Sequence, residues 1–141
     1  MNYFIDTVLL IDDNDIENII NKKFIEAVGF ARNIITVQSA EDALEYLFNQ
    51  IKKNKEIPEL IFLDIRMPMD DGFDFLASFE MLNETIKCKT KIVMLTSSLD
   101  DRDIAKAKGN KLVRFILEKP LSFETLDDLR KTLNVNETLD V

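Results

Sequence analysis

Residues 60–72 read LIFLDIRMPMDDG, and this stretch decides how the rest of the chain is interpreted. Four apolar residues, Leu60 to Leu63, run directly into a single carboxylate, Asp64. A short run that is apolar at every position is typical of a parallel strand covered on both faces. An aspartate that ends such a strand either caps the next turn or belongs to a functional site, and the other strand ends distinguish these two roles.

Four more short apolar runs occur along the chain, separated by segments of helical length: VLLI (8–11), IITV (34–37), IVML (92–95) and VRFIL (113–117). This alternation predicts a doubly wound α/β fold, because parallel strands need crossover connections and those crossovers are right-handed. We expect a single domain over residues 1–141 with a five-stranded parallel sheet. Its core should lie at about residues 7–133, followed by a short C-terminal tail at 134–141.

The segments between the runs carry apolar residues at helical spacing. The first is predicted to bury one apolar face, formed by Ile16, Ile19, Ile20, Phe24 and Ala27. SAED (39–42) is typical of a helix N-terminus. Apolar stripes also follow the third and fifth runs, at Phe75, Leu76, Phe79 and Leu82, and at Phe123, Leu126, Leu129 and Leu133. The segment 100–108 has mainly Ile104, Ala105 and Ala107 as apolar anchors, so we expect this helix to pack weakly.

Composition excludes several classes of function. The chain has no histidine and one cysteine, so it can form neither an internal disulfide nor a Ser/His or Cys/His catalytic pair. A formal charge of -8 argues against non-specific binding to nucleic acid or anionic lipid. No apolar run approaches the roughly 20 residues that cross a bilayer, and the N-terminus lacks a secretory signal. We expect a cytoplasmic protein that binds neither nucleic acid nor membrane.

Polar side chains follow four of the five predicted strands. Asp12 and Asp13 follow the first, Asp64 the third, Thr96 the fourth and Lys119 the fifth. The carboxyl ends of parallel strands meet at one edge of the sheet, where α/β proteins place their ligands. Each residue alone is explained more simply as a helix cap or a turn residue. Three converging carboxylates, however, would repel one another unless a cation or a raised pKa compensates.

A hard divalent cation, Mg²⁺ or Mn²⁺, would resolve this repulsion, because it prefers oxygen ligands and leaves room for water and phosphate. Asp13 and Asp64 would bind it directly, and Asp12 directly or through water. Lys119 and Thr96 would then contact a phosphoryl group, and Asp64 could itself be the nucleophile that accepts it.

Two other sites built on an aspartate fail on residue type. An EF-hand loop that began at Asp12 or Asp13 would need Gly at its sixth position, which this chain lacks. Haloacid-dehalogenase-type phosphohydrolases pair the nucleophilic aspartate with an acid two residues later, where this chain has Arg66.

In type, order and strand position these residues resemble the receiver domains of bacterial two-component response regulators, over about residues 7–133. LLIDD is similar to the family's acidic pair, FLDIRMPMDDG to its phosphoacceptor loop, MLTSS to its switch hydroxyl and EKP to its lysine. The resemblance implies the flavodoxin-like strand order 2-1-3-4-5 and a cis Lys119-Pro120 bond. The resemblance implies that Asp64 is the phosphoacceptor and that Asp12 and Asp13 are the metal-site acids. It also implies that the backbone carbonyl of Arg66 binds the metal, that Thr96 is the switch hydroxyl and that Lys119 is the lysine that contacts the phosphate.

Some positions depart from the family pattern. Ile116 stands where the family usually has an aromatic switch residue, and Phe115, one place earlier, should face the other side of the sheet. Asp70 replaces the usual Met of the phosphoacceptor loop. Arg66 and Ser98 occupy positions that, in the family, flank the phosphoryl group and influence its lifetime.

The resemblance implies a stand-alone receiver that takes its phosphoryl group from a sensor histidine kinase or a histidine phosphotransfer protein. Such a protein catalyses only its own phosphorylation and dephosphorylation, without small-molecule turnover. Because few residues follow the last predicted helix, we expect the signal to leave by protein contact, at a face formed by helix 100–108, strand 113–117 and helix 123–133. Two alternatives stay open, a phosphorylation-independent interaction module and, less favoured, a metal-dependent phosphohydrolase.

Overall fold

The computed structural model describes residues 2–67, 69, 71–97 and 100–139, and side chains within these ranges as far as residue 133. Within these residues there are five strands: β1 (Ile5–Ile11), β2 (Ala31–Val37), β3 (Leu60–Asp64), β4 (Lys91–Thr96) and β5 (Val113–Glu118). The same residues form six helices: α1 (Asp15–Ala27), α2 (Ala40–Lys52), α3 (Gly72–Glu80), α4 (Glu84–Lys89), α5 (Asp101–Lys108) and α6 (Phe123–Leu139).

The strands form one parallel sheet in the order β2-β1-β3-β4-β5. This confirms the predicted α/β class and the flavodoxin-like order. In the register, Ile11 pairs with Leu63 of β3, and Asp64 pairs with Leu95 of β4. The carboxyl ends of the central strands therefore lie side by side, as the site prediction requires.

The sheet is covered on both faces, and β3 is buried at all five of its positions. One apolar cluster includes Ile61 and Leu63 with buried side chains of α2, α3 and α5. The other includes Leu60 and Phe62 with side chains of α1 and α6. Burial on both faces explains why the run is apolar at every position, and it carries Asp64 into a poorly solvated place.

Helix α1 does not bury the face that its apolar spacing predicts. Ile16, Ile19 and Ile20 are 66%, 53% and 39% exposed, and Ala27 is also exposed. Phe24 is half-buried, and the helix buries Asn18, Asn21 and Ile25 instead. That part of the prediction was wrong, and three isoleucines lie on the surface of the protein.

The two buried asparagines give the physical reason for this orientation. The Nδ2 group of Asn18 donates to the backbone carbonyls of Asp12 (3.0 Å) and Val37 (3.3 Å). The Oδ1 atom of Asn21 accepts from the backbone amide of Leu121 (3.0 Å). Backbone groups at strand ends need partners when they are buried. The inner face of α1 therefore supplies polar side chains, and the isoleucines turn outward.

Other helices differ from their predicted extents or packing. Helix α4 was not predicted, because its six residues have no apolar stripe and none of them is buried. Helix α6 continues to Leu139, beyond the predicted end at Leu133. In α5, Ala107 is buried and Ile104 half-buried, but Ala105 is exposed. Asp103 is the other buried residue of α5.

Among the described residues, no helix combines the length and the apolar character that crossing a membrane requires.

The start of α3 approaches the end of β3 so closely that only glycine fits. A β-carbon on Gly72 would lie 2.6 Å from the carbonyl oxygen of Asp64 and 2.9 Å from the Cε atom of Met94. At Gly109 the nearest atom would be 3.5 Å away, which is ordinary contact, and the backbone there is right-handed helical.

We expect Gly72→Ala to lower the free energy of unfolding by about 1–3 kcal/mol, because an added methyl group must displace backbone. The matched variant Gly109→Ala should raise it by about 0.4–1 kcal/mol, because it only reduces the freedom of the unfolded chain. Urea denaturation of both variants measures the difference. Equal stabilities would contradict the close contact between α3 and β3.

Candidate functional site

The sheet brings the predicted acids and the lysine together at its carboxyl edge. One carboxylate oxygen from each of Asp12, Asp13 and Asp64 lies within 4.8 Å of the others. The Nζ atom of Lys119 lies 3.4 Å from Oδ1 of Asp64. Asp12 and Asp64 are buried, whereas Asp13 is exposed and opens the cluster to solvent.

Local backbone contacts fix two of these residues. The amide of Asp12 donates to the carbonyl of Val37 (3.1 Å), and its Oδ1 accepts from the amide of Asn14 (3.0 Å). The amide of Lys119 donates to the carbonyl of Thr96 (2.8 Å). Lys119 precedes a cis peptide bond to Pro120, as the resemblance implied.

The Lys119 ammonium is a buried cation held among carboxylates. Its side chain is 7% exposed, and Nζ donates to Oδ2 of Asp12 (2.9 Å) and, at close range, to Oε2 of Glu17. Burial alone would lower the pKa of Lys119. The hydrogen bonds to Glu17 and Asp12 and the nearby charge of Asp64 outweigh burial and raise that pKa. Lys119 therefore supplies a permanent positive charge at neutral pH.

Glu17 was not among the predicted site residues. It belongs to the first turn of α1, where acidic residues are common because the positive end of the helix dipole stabilises a negative charge. Its position one helical turn beyond the acidic pair was the available signal. Glu17 thus joins Asp12 and Asp64 as a third acid paired with the Lys119 ammonium.

Asp64 has an environment that disfavours its charge. Burial and the neighbouring Asp12 carboxylate raise the pKa of Asp64 to about 7, although Lys119 and the backbone amide of Arg66 act in the opposite direction. One ammonium thus does not balance the cluster. A divalent cation would do so, and an all-carboxylate donor set fits Mg²⁺ or Mn²⁺. The predicted metal ligands Asp12, Asp13 and Asp64 are therefore placed where they could hold one.

The Arg66 side chain pairs with α5. Its Nε and Nη2 atoms donate to Oδ2 and Oδ1 of Asp103, at 3.0 and 2.9 Å. This fork links the loop after Asp64 to a helix of the predicted output face. Asp103 was missed by sequence reasoning, because an acid in a helix gives no sign of its distant partner. The metal-binding role of the Arg66 carbonyl stays a prediction.

Thr96 ends β4 and is 3% exposed, one strand away from Asp64. Ser97 lines a cleft of about 270 Å³ together with Glu17, Ile20, Lys119 and Pro120. Asp70 and Ser98, which depart from or flank the family pattern, lie outside the described residues.

Ile116 and Phe115 face opposite sides of the sheet, as expected. Ile116 packs against the cluster that includes Ala107 of α5. Phe115 packs against the cluster on the side of α1 and α6. Phe115 therefore does not take the place of an aromatic residue beside α5.

The chain matches known proteins along most of its length. The family model described as "Response regulator receiver domain" matches residues 8–131. The probable methanogenesis regulatory protein FilR2 of Methanothrix harundinacea is 30% identical over 126 residues, which cover 89% of this chain and 77% of that protein. The crystal structure of a two-component response regulator from Cytophaga hutchinsonii has a TM-score of 0.82 and 35% identity, covering 92% of this chain and 97% of that one.

Other relatives are much longer than this chain. The autoinducer 1 sensor kinase/phosphatase LuxN of Vibrio harveyi is 29% identical over 127 residues, which are 90% of this chain but only 13% of that protein. The similarity therefore concerns one segment of such relatives.

Replacing Asp64 with asparagine tests whether the negative charge of its buried carboxylate destabilises the fold. An acid whose pKa is raised in the folded state stabilises the fold only while it is protonated. Its contribution is full below the unfolded pKa of about 4 and is lost as the pH rises through about 7. In metal-free protein we expect Asp64→Asn to raise the free energy of unfolding by on the order of 2 kcal/mol at about pH 8, and by less than about half of that at pH 5.

Denaturation with urea at both pH values measures this difference, and added Mg²⁺ should reduce the gain at about pH 8 because the cation compensates the carboxylate in the parent protein. A gain of equal size at both pH values would contradict the raised pKa of Asp64.

The Arg66 fork makes a second stability prediction. The Asp103 side chain is 12% exposed, so Arg66→Leu leaves a mostly buried carboxylate without its partner. We expect the free energy of unfolding to fall by about 1–2 kcal/mol. The loss stays in this range because solvent around the exposed Arg66 side chain weakens the ion pair. Arg102→Leu is the matched control, because Arg102 is 91% exposed and should contribute less than about 0.5 kcal/mol. Equal losses, measured by urea denaturation, would show that the fork is unimportant.

Proposed function

The chain belongs to the response regulator receiver domain family of two-component signalling, and we propose that it accepts a phosphoryl group on Asp64 in a Mg²⁺-dependent reaction. Receiver domains are signalling modules without small-molecule turnover, and they pair with histidine kinases.

The observation that carries the proposal is the placing of Asp64. Its carboxylate ends a fully buried strand, lies among two other acids, and has the Lys119 ammonium 3.4 Å away. A nucleophile beside a fixed cation and a set of metal ligands suits phosphoryl transfer, which needs mainly positioning and charge stabilisation.

In the proposed step an oxygen of ionised Asp64 attacks the phosphorus atom of the donor. A new O–P bond forms while the P–N bond of phosphohistidine, or the P–O bond of acetyl phosphate, breaks. The bonding electron pair leaves with the imidazole, which takes up a proton from solvent, or with acetate. Lys119 is positioned to neutralise charge on the transferred group, and Thr96 offers a hydroxyl at the adjacent strand end.

The cation would be held by Asp13 and Asp64, with Asp12 directly or through water and the backbone carbonyl of Arg66 as a further ligand. When bound, Mg²⁺ neutralises charge on phosphoryl oxygens. The acidic cluster and the raised pKa of Asp64 support this assignment, because both are consistent with a site that accommodates a positive ion.

Phosphorylation would change the charge of the site and through it the surface. An aspartyl phosphate brings about -1.5 to -2 charges and three acceptor oxygens. Lys119 directly follows β5, Thr96 ends β4 just before α5, and Arg66 is already tied to α5 through Asp103. We therefore propose the face formed by α5, β5 and α6 as the surface where the downstream protein binds.

The proposed donor is a sensor histidine kinase or a histidine phosphotransfer protein, and a donor of this kind implies a cytoplasmic location. The exposed Ile20 of α1 lines the same cleft as Lys119, so an exposed apolar side chain lies near this lysine, where the donor could dock. A formal charge of -8 favours protein partners over nucleic acid or an anionic membrane. We therefore propose that neither nucleic acid nor a membrane is a partner.

Intact-mass spectrometry after incubation with acetyl phosphate and Mg²⁺ tests the function. We expect a mass increase of one phosphoryl group per chain, because Asp64 is the single proposed phosphoacceptor and has the Lys119 ammonium 3.4 Å away. Asp64→Asn and a sample in EDTA should each lack the adduct. Asp74→Asn is a matched control, because Asp74 is an exposed carboxylate in the capping box of α3 and should leave phosphorylation unchanged.

A protein that gains no adduct from acetyl phosphate, phosphoramidate or a candidate kinase would contradict the proposal. That result would favour the phosphorylation-independent interaction module, and the departure at Ile116 from the usual aromatic would then be the first position to study.

A further inference from the structure

The Lys119 ammonium is held by a residue outside the set of site residues matched by the family pattern. Its closest partners are Asp12 and Glu17, and Asp64 is farther away at 3.4 Å. Asp12 follows β1 and Asp64 ends β3, but Glu17 comes from α1. Glu17 therefore reaches the ammonium from a different side of the crevice.

Two sets of contacts fix the turn of α1 that carries Glu17. The side chain of Asn14 caps the helix and accepts from the amides of Ile16 (2.9 Å) and Glu17 (3.1 Å). Asn18, the next residue, is buried and donates to the carbonyl of Asp12 (3.0 Å). The backbone of Glu17 is thereby held against the end of β1, and its carboxylate has a defined approach to Lys119.

The contact matters because Lys119 and a divalent cation would bind the same carboxylates. An ammonium that paired fully with Asp12 and Asp64 would compete with the cation at these oxygens and repel it. The Glu17 carboxylate accepts a hydrogen bond from one of the three N–H groups of the ammonium, and its negative charge offsets part of the positive charge of Lys119. Lys119 can then remain beside Asp64 without displacing a metal ion.

We propose that Glu17 is a positioning residue, which holds the Lys119 ammonium beside α1 and so keeps the Asp64 carboxylate, which Lys119 contacts less closely than Asp12, available to a divalent cation. In its second half this inference rests on the proposed Mg²⁺-dependent function. Its first half concerns the resting protein alone.

The chain offers a well-matched control for Glu17. Asp15 lies in the same first turn of α1, but its carboxylate accepts from the side chain of Gln38 (3.2 Å). Asp15→Asn and Glu17→Gln remove the same charge from the same helix end. A difference between them therefore reports on the contact with Lys119 and not on the helix dipole. Glu17→Asp keeps the charge and shortens its reach.

The first measurement is side-chain ¹⁵N NMR of lysine ammonium groups in metal-free protein. A buried ammonium bonded to carboxylates exchanges its protons slowly enough to be observed, and Lys119→Met identifies the signal. We expect Glu17→Gln to shift or broaden the Lys119 signal and Asp15→Asn to leave it in place. Thermal denaturation of each variant shows that the fold is retained.

The second measurement is the dissociation constant of Mg²⁺ by calorimetry. We expect Glu17→Gln to weaken Mg²⁺ binding about threefold to tenfold, because the variant loses one carboxylate that is partly exposed and therefore partly screened by solvent. Asp15→Asn should change it less than about twofold, and Glu17→Asp should restore most of the affinity.

An unchanged Lys119 signal in Glu17→Gln, or a Mg²⁺ affinity equal to that of Asp15→Asn, overturns the inference. A Glu17→Gln variant that only melts at a lower temperature, with both readouts unchanged, would assign Glu17 a structural role and also overturn it. If the parent protein binds no Mg²⁺, the proposed function fails, while the metal-free spectrum still decides whether Glu17 places Lys119.

Discussion

The ion pairs of Lys119 with Asp12 and Asp64 are the interaction on which the rest of the site depends. A sheet covered on both faces carries Asp64 into a poorly solvated position, where a carboxylate beside another carboxylate is unfavourable. One ammonium compensates this arrangement only in part. The remaining excess of negative charge is the physical reason why this edge could hold a cation, and in the proposed function a phosphoryl group on Asp64 would change that charge balance.

Two ionic contacts extend this balance from the crevice to the protein surface. Glu17 connects Lys119 to α1, whose isoleucines face outward. On the other side, Arg66 connects the loop after Asp64 to the buried Asp103 of α5. A change of charge at Asp64 would affect both the Glu17–Lys119 contact and the Arg66–Asp103 contact, because both are ion pairs. In the proposed function, α1 lies on the side of the incoming donor and α5 belongs to the output face.

The sequence was sufficient for features that depend on local pattern and strand direction. Continuous apolar runs predicted the five strands, and the strand ends predicted that Asp12, Asp13, Asp64 and Lys119 would meet. Features that depend on pairing over a distance were missed: Glu17, Asp103 and the orientation of α1. Spacing alone favoured burying Ile16 and Ile19, but the backbone groups at the strand ends required Asn18 and Asn21 instead. Helix α4 was missed because it buries no residue.

A crystal structure of the protein grown with Mg²⁺ and beryllofluoride, a stable analogue of a phosphoryl group, would test the central claim most directly. We expect one Mg²⁺ bound by Asp13, Asp64 and the carbonyl of Arg66, with Asp12 bound directly or through water. The beryllofluoride should be attached to Asp64 and contacted by Lys119 and Thr96. A cation bound away from the three acids, or an Asp64 carboxylate that carries no beryllofluoride while Lys119 keeps its pairing with Asp12, would contradict the account.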